Sequence, residues 1–191
     1  DPVGRKLVEW YLLRHSESNA PFSRYAAFVA ANPDWPSVTL LRKRAEARMW
    51  QERSDPATVH GFTLDQPISA KGKFALARTL LTEGDRDGAA RLVREAWRSD
   101  ELLDRTESDA YDAFKDLLTR DDHRARMDKR IGAKDLAAAR RAAQHLGHGQ
   151  QYLFQANVRQ QLARAGFGRI QFGDGDITAD ARQLVDTFGS G

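Results

Sequence analysis

Residues 69–98, SAKGKFALARTLLTEGDRDGAARLVREAWR, decide the fold. Apolar residues recur at helical spacing on both sides of the GD in the middle. Ser69 is a natural N-cap for a helix running to about Glu83. EGDRDG (83–88) reads as a tight turn around Gly84, a residue free to take positive φ. Ala89 to Trp97 then forms the return helix. Ala75, Ala77, Ala89, Ala90 and Ala96 keep the facing surfaces small, so the two helices can approach closely. The stretch predicts an antiparallel helical hairpin, with Trp97 as a core residue of its second arm.

The spacing GD-x-x-GAA between two helices resembles tetratricopeptide-type repeats, in which each hairpin buries its open face on its neighbour. A degenerate echo follows, with Phe74…Leu80-Leu81 answered by Phe114…Leu117-Leu118, and this predicts a second hairpin over 107–131. Upstream, GRKLVEWYLLRH (4–15) predicts a helix with an apolar stripe, on which Leu7, Trp10, Tyr11 and Leu13 to His15 are placed. PFSRYAAFVAANP (21–33) predicts a helix with Pro21 in its first turn, ended by Asn32-Pro33. NPDWPS (32–37) is then a corner. Pro33 and Pro36 fix φ, Asp34 or Ser37 caps the next helix, and Trp35 wedges between the two arms. Trp50 closes the buried side of that next helix. Residues 53–70 predict one short helix and a loop. Residues 132–147 predict an alanine-rich helix stopped by Gly147, and two further helices follow within 148–188. FGSG at the end reads as a linker, which leaves 189–191 outside the fold.

The 191 residues suit one domain or one elongated array, at 41% hydrophobic and 30% charged. The net charge of +3 is small, and the two signs are mixed along the chain. That disfavours a nucleic-acid module, which gathers its cations on one stripe. The densest basic run, LRKRAEAR (Arg42, Lys43, Arg44, Arg48), has Glu46 inside it and reads as a solvated helix face. Absence of cysteine excludes disulfides, cysteine-ligated zinc and thiol catalysis. No apolar run has the length of a membrane span.

Recognisable catalytic, cofactor and metal motifs are lacking. There is no glycine-rich phosphate loop, G-x-S-x-G elbow or H-E-x-x-H. Of the five histidines only His145 and His148 are close, with no carboxylate ligand beside them. FGDGDIT (172–178) approaches a calcium loop. With Gly175 as its invariant glycine, however, the first and twelfth ligand positions fall on Ile170 and Ala181. Asp121-Asp122 reads as capping and solvation in a turn. The residues singled out are therefore structural: Pro33, Trp35, Pro36, Trp50, Gly84 and Trp97. No catalytic, cofactor-binding or metal residue is assigned.

An ordered set of words carries a resemblance. DPVGRKLVEWYLLR, FSRYAAFVAANPDWPSVTLLRKRAEARMW, DPATVHGF, the 69–98 stretch and LLTRDDHRARMDKRI together resemble the N-terminal helical region of soluble lytic murein transglycosylases. The alphaproteobacterial branch is the nearest in pattern. The likeness runs from residue 1 to about 146. It implies an all-α superhelical array of antiparallel hairpins that curves into a ring or horseshoe and supports a separate lysozyme-like domain. It also implies a periplasmic location, and a lyase that cleaves between N-acetylmuramic acid and N-acetylglucosamine to leave a 1,6-anhydro end. The family's catalytic glutamate lies in an E-S pair followed by G-L-M-Q. Here the E-S pairs are Glu17-Ser18 and Glu107-Ser108, and neither is followed by G-L-M-Q, so no catalytic role is carried over.

The expected organisation is thus a family-like superhelix over 1–147, a weaker match over 148–188 and a tail at 189–191. The expected function is a non-catalytic scaffold whose partners are glycan strands or a lysozyme-like domain. The alternative is a stand-alone helical-repeat adaptor that binds a protein or peptide.

Overall fold

The computed structural model describes residues 1–99 and 102–146. Every regular element among them is helical. The helices are α1 (Pro2–Arg14), α2 (Phe22–Ala31), α3 (Val38–Glu52), α4 (Pro56–Thr63), α5 (Ala70–Thr82), α6 (Arg86–Ser99), α7 (Asp104–Phe114), α8 (Arg120–Gly132) and α9 (Leu136–Gln144), with a 3-10 turn at Lys115–Leu117. The chain divides into two compact units, Asp1–Asp122 and a second beginning at His123. The expected boundary at 147/148, the helices of 148–188, the 172–178 loop and His148 lie outside the described residues.

In the first unit, α5 and α6 form the most extensive helix pair. Lys73 near the start of α5 meets Glu95 near the end of α6 at 3.0 Å, so the two run antiparallel. Ser69 caps α5 by accepting from Gly72 N at 3.1 Å. Gly84 takes φ +87° in the turn. The turn is shorter than the sequence suggested, because Asp85 caps α6 by accepting from Gly88 N at 2.8 Å. Arg86-Asp87-Gly88 is therefore already helical.

The α2/α3 pair is antiparallel by the same reasoning, since Phe22 N at the start of α2 donates to Glu52 at the end of α3 at 3.1 Å. α2 ends before Asn32, whose side-chain amide donates to Phe28 O at 2.9 Å. Pro21 precedes α2 as its cap rather than lying in the first turn. Ser37 occupies the N-cap of α3 at φ +65° but makes no side-chain cap bond, contrary to the expected capping. Pro33 and Pro36 are exposed within the corner. Trp35 is half-buried and meets the rings of Phe28 on α2 and Trp10 on α1 edge-on, at 5.7 and 6.2 Å. It packs on the cluster that joins α1, α2 and α3, and its ring contacts add α1 to the expected wedge. Trp10 Nε1 donates to Pro36 O at 2.7 Å and clasps the corner from the other side.

Two clusters fill the first unit. One gathers Leu13, Tyr25, Phe28, Leu41 and Ala45. The larger holds Trp50, Phe74 and Phe114 in mutual ring contact at 5.7–6.0 Å, together with the fully buried Trp97. Three expectations are modified here. The stripe of α1 is buried at one end only: Leu13 lies in the core and Trp10 packs on the same cluster, while Leu7 and Tyr11 are 53% and 64% exposed. The Phe114…Leu117-Leu118 echo is degenerate, as expected: two helices, α7 and α8, occupy the stretch, but α7 ends at Phe114 and the leucines fall in and after the 3-10 turn instead of within a helix. Asp121-Asp122 lies in the first turn of α8 rather than between helices. Asp122 accepts from Thr119 N at 2.7 Å while its own N–H donates to Thr119 Oγ1 at 3.3 Å, a reciprocal capping box.

In the second unit, Met127 and Ile131 of α8 pack with Ala139, Ala142 and Ala143 of α9 and with Leu146. The rings of His123 and His145 lie 5.0 Å apart. Asp135 caps α9 through Ala138 N at 3.0 Å.

Candidate functional site: a cationic groove beside α5

The basic run of α3 is not a solvated face. Glu46 has no exposed surface. Its Oε1 accepts from Ile68 N at 2.9 Å, and its Oε2 accepts from Ser69 N at 2.8 Å and from Ser69 Oγ. The carboxylate therefore ties α3 to the N-terminus of α5, where negative charge suits the helix dipole. A Cβ on Gly72 would lie 2.3 Å from Glu46 Oε2 and 2.9 Å from Pro67 Cβ, so glycine is required by this close approach. Arg44 donates to Leu13 O and His15 O, both at 2.6 Å, and closes the end of α1. Arg48 reaches Asn19 O at 3.0 Å.

Anchoring α5 in this way sets up a groove of about 1050 Å3 bounded by the end of α3, by α5 and by α7. Trp50 lies in its wall. Arg78 stacks on that ring, 4.7 Å from the centroid, and its guanidinium donates to Trp50 O at 3.4 Å. Arg53 follows at the C-cap of α3 with φ +53°, a conformation that glycine more often supplies. Lys71 is half-buried in the first turn of α5. Arg105, Asp109 and Asp112 come from α7.

None of Arg53, Lys71 and Arg78 forms an ion pair among the described residues, whereas Arg105 lies 4.0 Å from Asp109. Burial pushes the Lys71 ammonium below its ordinary range, with Asp109 pulling the other way. Burial, then the nearby charge of Arg53, lowers Arg78 likewise. Two guanidiniums and an ammonium thus line one side of the groove outside any ion pair, with Asp109 and Asp112 on the α7 side, and the cationic side favours an incoming anion.

A second concavity along α6, of about 740 Å3, is also rich in arginine. There three of the four lining guanidiniums, all but Arg91, are already engaged. Arg94 donates to Leu117 O at 2.9 Å, Arg86 to Asp116 O at 3.2 Å and Arg98 to Asp122 at 2.5 Å. For Asp122, burial alone would raise the pKa. Hydrogen bonds from Thr119 and Arg98 outweigh it and leave the carboxyl below its ordinary value. This is a joint between elements.

Of the residues singled out from sequence, only Trp50 borders the groove. Trp35, Pro33 and Pro36 belong to the α2–α3 corner, Gly84 to the α5–α6 turn and Trp97 to the core. Arg53, Lys71, Arg78 and Arg105 were not singled out. The available signal was the seven-residue spacing of Lys71 and Arg78, which puts both on one face of α5. Compared with protein-family models, curated proteins and solved structures, the chain matches none.

Proposed function

We propose that the chain is a non-catalytic helical scaffold of a periplasmic lytic transglycosylase, acting in peptidoglycan turnover beside a lysozyme-like domain. One observation carries this reading. The words behind the resemblance fold into joints between helices: LRKRAEAR and SAKGK meet at the buried Glu46–Ser69 tie. Residues used in this way hold helices in register, which is what a scaffold requires. The antiparallel pairs α2/α3 and α5/α6 support a superhelical, tetratricopeptide-like array as their extension. The test is incubation with purified sacculi. The chain is expected to pellet with them at low salt, to be released by about 0.5 M salt as surface ion pairs are screened, and to liberate no anhydro-muropeptides. Product release contradicts the non-catalytic reading; absence of low-salt pelleting rules out direct contact of this chain with the glycan and leaves scaffolding of a lysozyme-like domain alone.

The adaptor alternative is favoured by a different observation, the unpaired cations of the α5 groove. Under it, the helices serve to present that groove to a protein partner.

A further inference from the structure

We infer that the groove between α3, α5 and α7 binds an acidic peptide segment in extended conformation, with carboxylates three residues apart against Lys71 and the Arg53–Arg78 pair. This holds whether or not the chain acts at the cell wall.

Size argues first. A groove of about 1050 Å3 exceeds what a single oxyanion fills and lies at the upper end of ligand cavities. Spacing argues second. Lys71 and Arg78 are seven residues apart on α5, two turns, or about 10 Å along the axis. A polyproline-type strand turns every three residues and rises about 9 Å in doing so, which presents carboxylates at i and i+3 to the same wall at that interval. Preorganisation argues third. Arg78 is held by the ring and carbonyl of Trp50, so little side-chain freedom remains to be lost on binding. The charge of Arg53 lowers the proton affinity of Arg78, and a carboxylate beside the two guanidiniums offsets that repulsion.

The opposite wall selects among anions. Asp109 and Asp112 face the groove from α7. A nucleic-acid strand carries a phosphate on every nucleotide and so has no neutral stretch to set opposite these carboxylates. A peptide with spaced acids leaves neutral residues opposite them.

The test is fluorescence anisotropy with the labelled peptide GESGESG, against GSEEGSG, GKSGKSG and a labelled oligothymidylate, using the whole chain at low salt. GESGESG is expected to bind most tightly of the four. Lys71→Gln and Arg53→Asn are each expected to weaken it at least about tenfold, the loss of one partly desolvated charge-assisted contact. Asparagine tolerates the left-handed backbone at position 53, so that variant keeps its fold. Asp112→Asn is expected to retain or improve affinity. Equal binding of GSEEGSG, unchanged affinity in both cation variants, tighter binding of oligothymidylate, or no binding of GESGESG overturns the inference.

Discussion

Glu46 shows how much one side chain holds. Its carboxylate accepts from two backbone amides and a hydroxyl that lie 22 and 23 residues downstream. Removing it leaves those part-buried donors without their acceptor. Glu46→Ala is expected to cost about 3 kcal/mol in denaturant titration, in the range for a broken buried charged contact. A loss no larger than a surface substitution would contradict the tie. Gly72→Ala, which drives a Cβ into the same carboxylate, is expected to cost about 1–3 kcal/mol by overpacking. Trp35 touches Trp10 and Phe28 but is only half-buried. Trp35→Ala is therefore expected to cost about 2 kcal/mol, below the full-burial range of about 3–5 kcal/mol. Local pattern could not reveal Glu46. A glutamate among arginines on a helix reads as solvated, and only the distant 68–69 segment makes its burial favourable. Lys71 and Arg78 escaped for the opposite reason. Cations on a helix are ordinary, and their convergence with Arg53 requires α3 to be packed on α5.

Among the elements, α5 and α6 were legible because their signals are local: the Ser69 cap, the Gly84 turn and small residues on facing sides. The α1 stripe and the 117–118 echo were legible only in part, because the same periodicity serves a buried face, an open face and a helix end alike. The joint between α4 and the α5–α6 turn has a pH dependence that follows from its geometry. His60 Nδ1 lies 2.5 Å from Asp65 and Nε2 lies 3.1 Å from Glu83. The hydrogen bond to Asp65 raises the His60 pKa above 6.5; burial opposes this, and Glu83 adds to it. A raised folded pKa means the contribution is complete below the unfolded value near 6.5 and is lost as pH rises through the folded value. Thermal melts of the native chain and His60→Gln are expected to differ most in acid and to converge at high pH. A difference that grows with pH would show that the clasp is not ionic. Asp122 behaves in the reverse sense. Its stabilisation is present above pH 3.8 and fades as pH falls through its lowered value.

At the scale of the molecule, the described chain is a set of closely tied helices in two units. All-α character was readable from period alone, because no stretch alternates as a strand would. Function was less readable. The arginine-rich run that read as a solvated face is engaged in ties at Arg44 and Arg48, as are Arg94 and Arg98 on α6, and cations outside any ion pair lie in the α5 groove instead. The scaffold proposal is most directly tested by the reading frame that encodes the chain. The expected result is that codons beyond residue 191 specify a lysozyme-like domain with an E-S pair followed by G-L-M-Q. A frame that closes soon after residue 191, or continues into an unrelated domain, contradicts the transglycosylase scaffold and leaves the adaptor with its acidic-peptide groove.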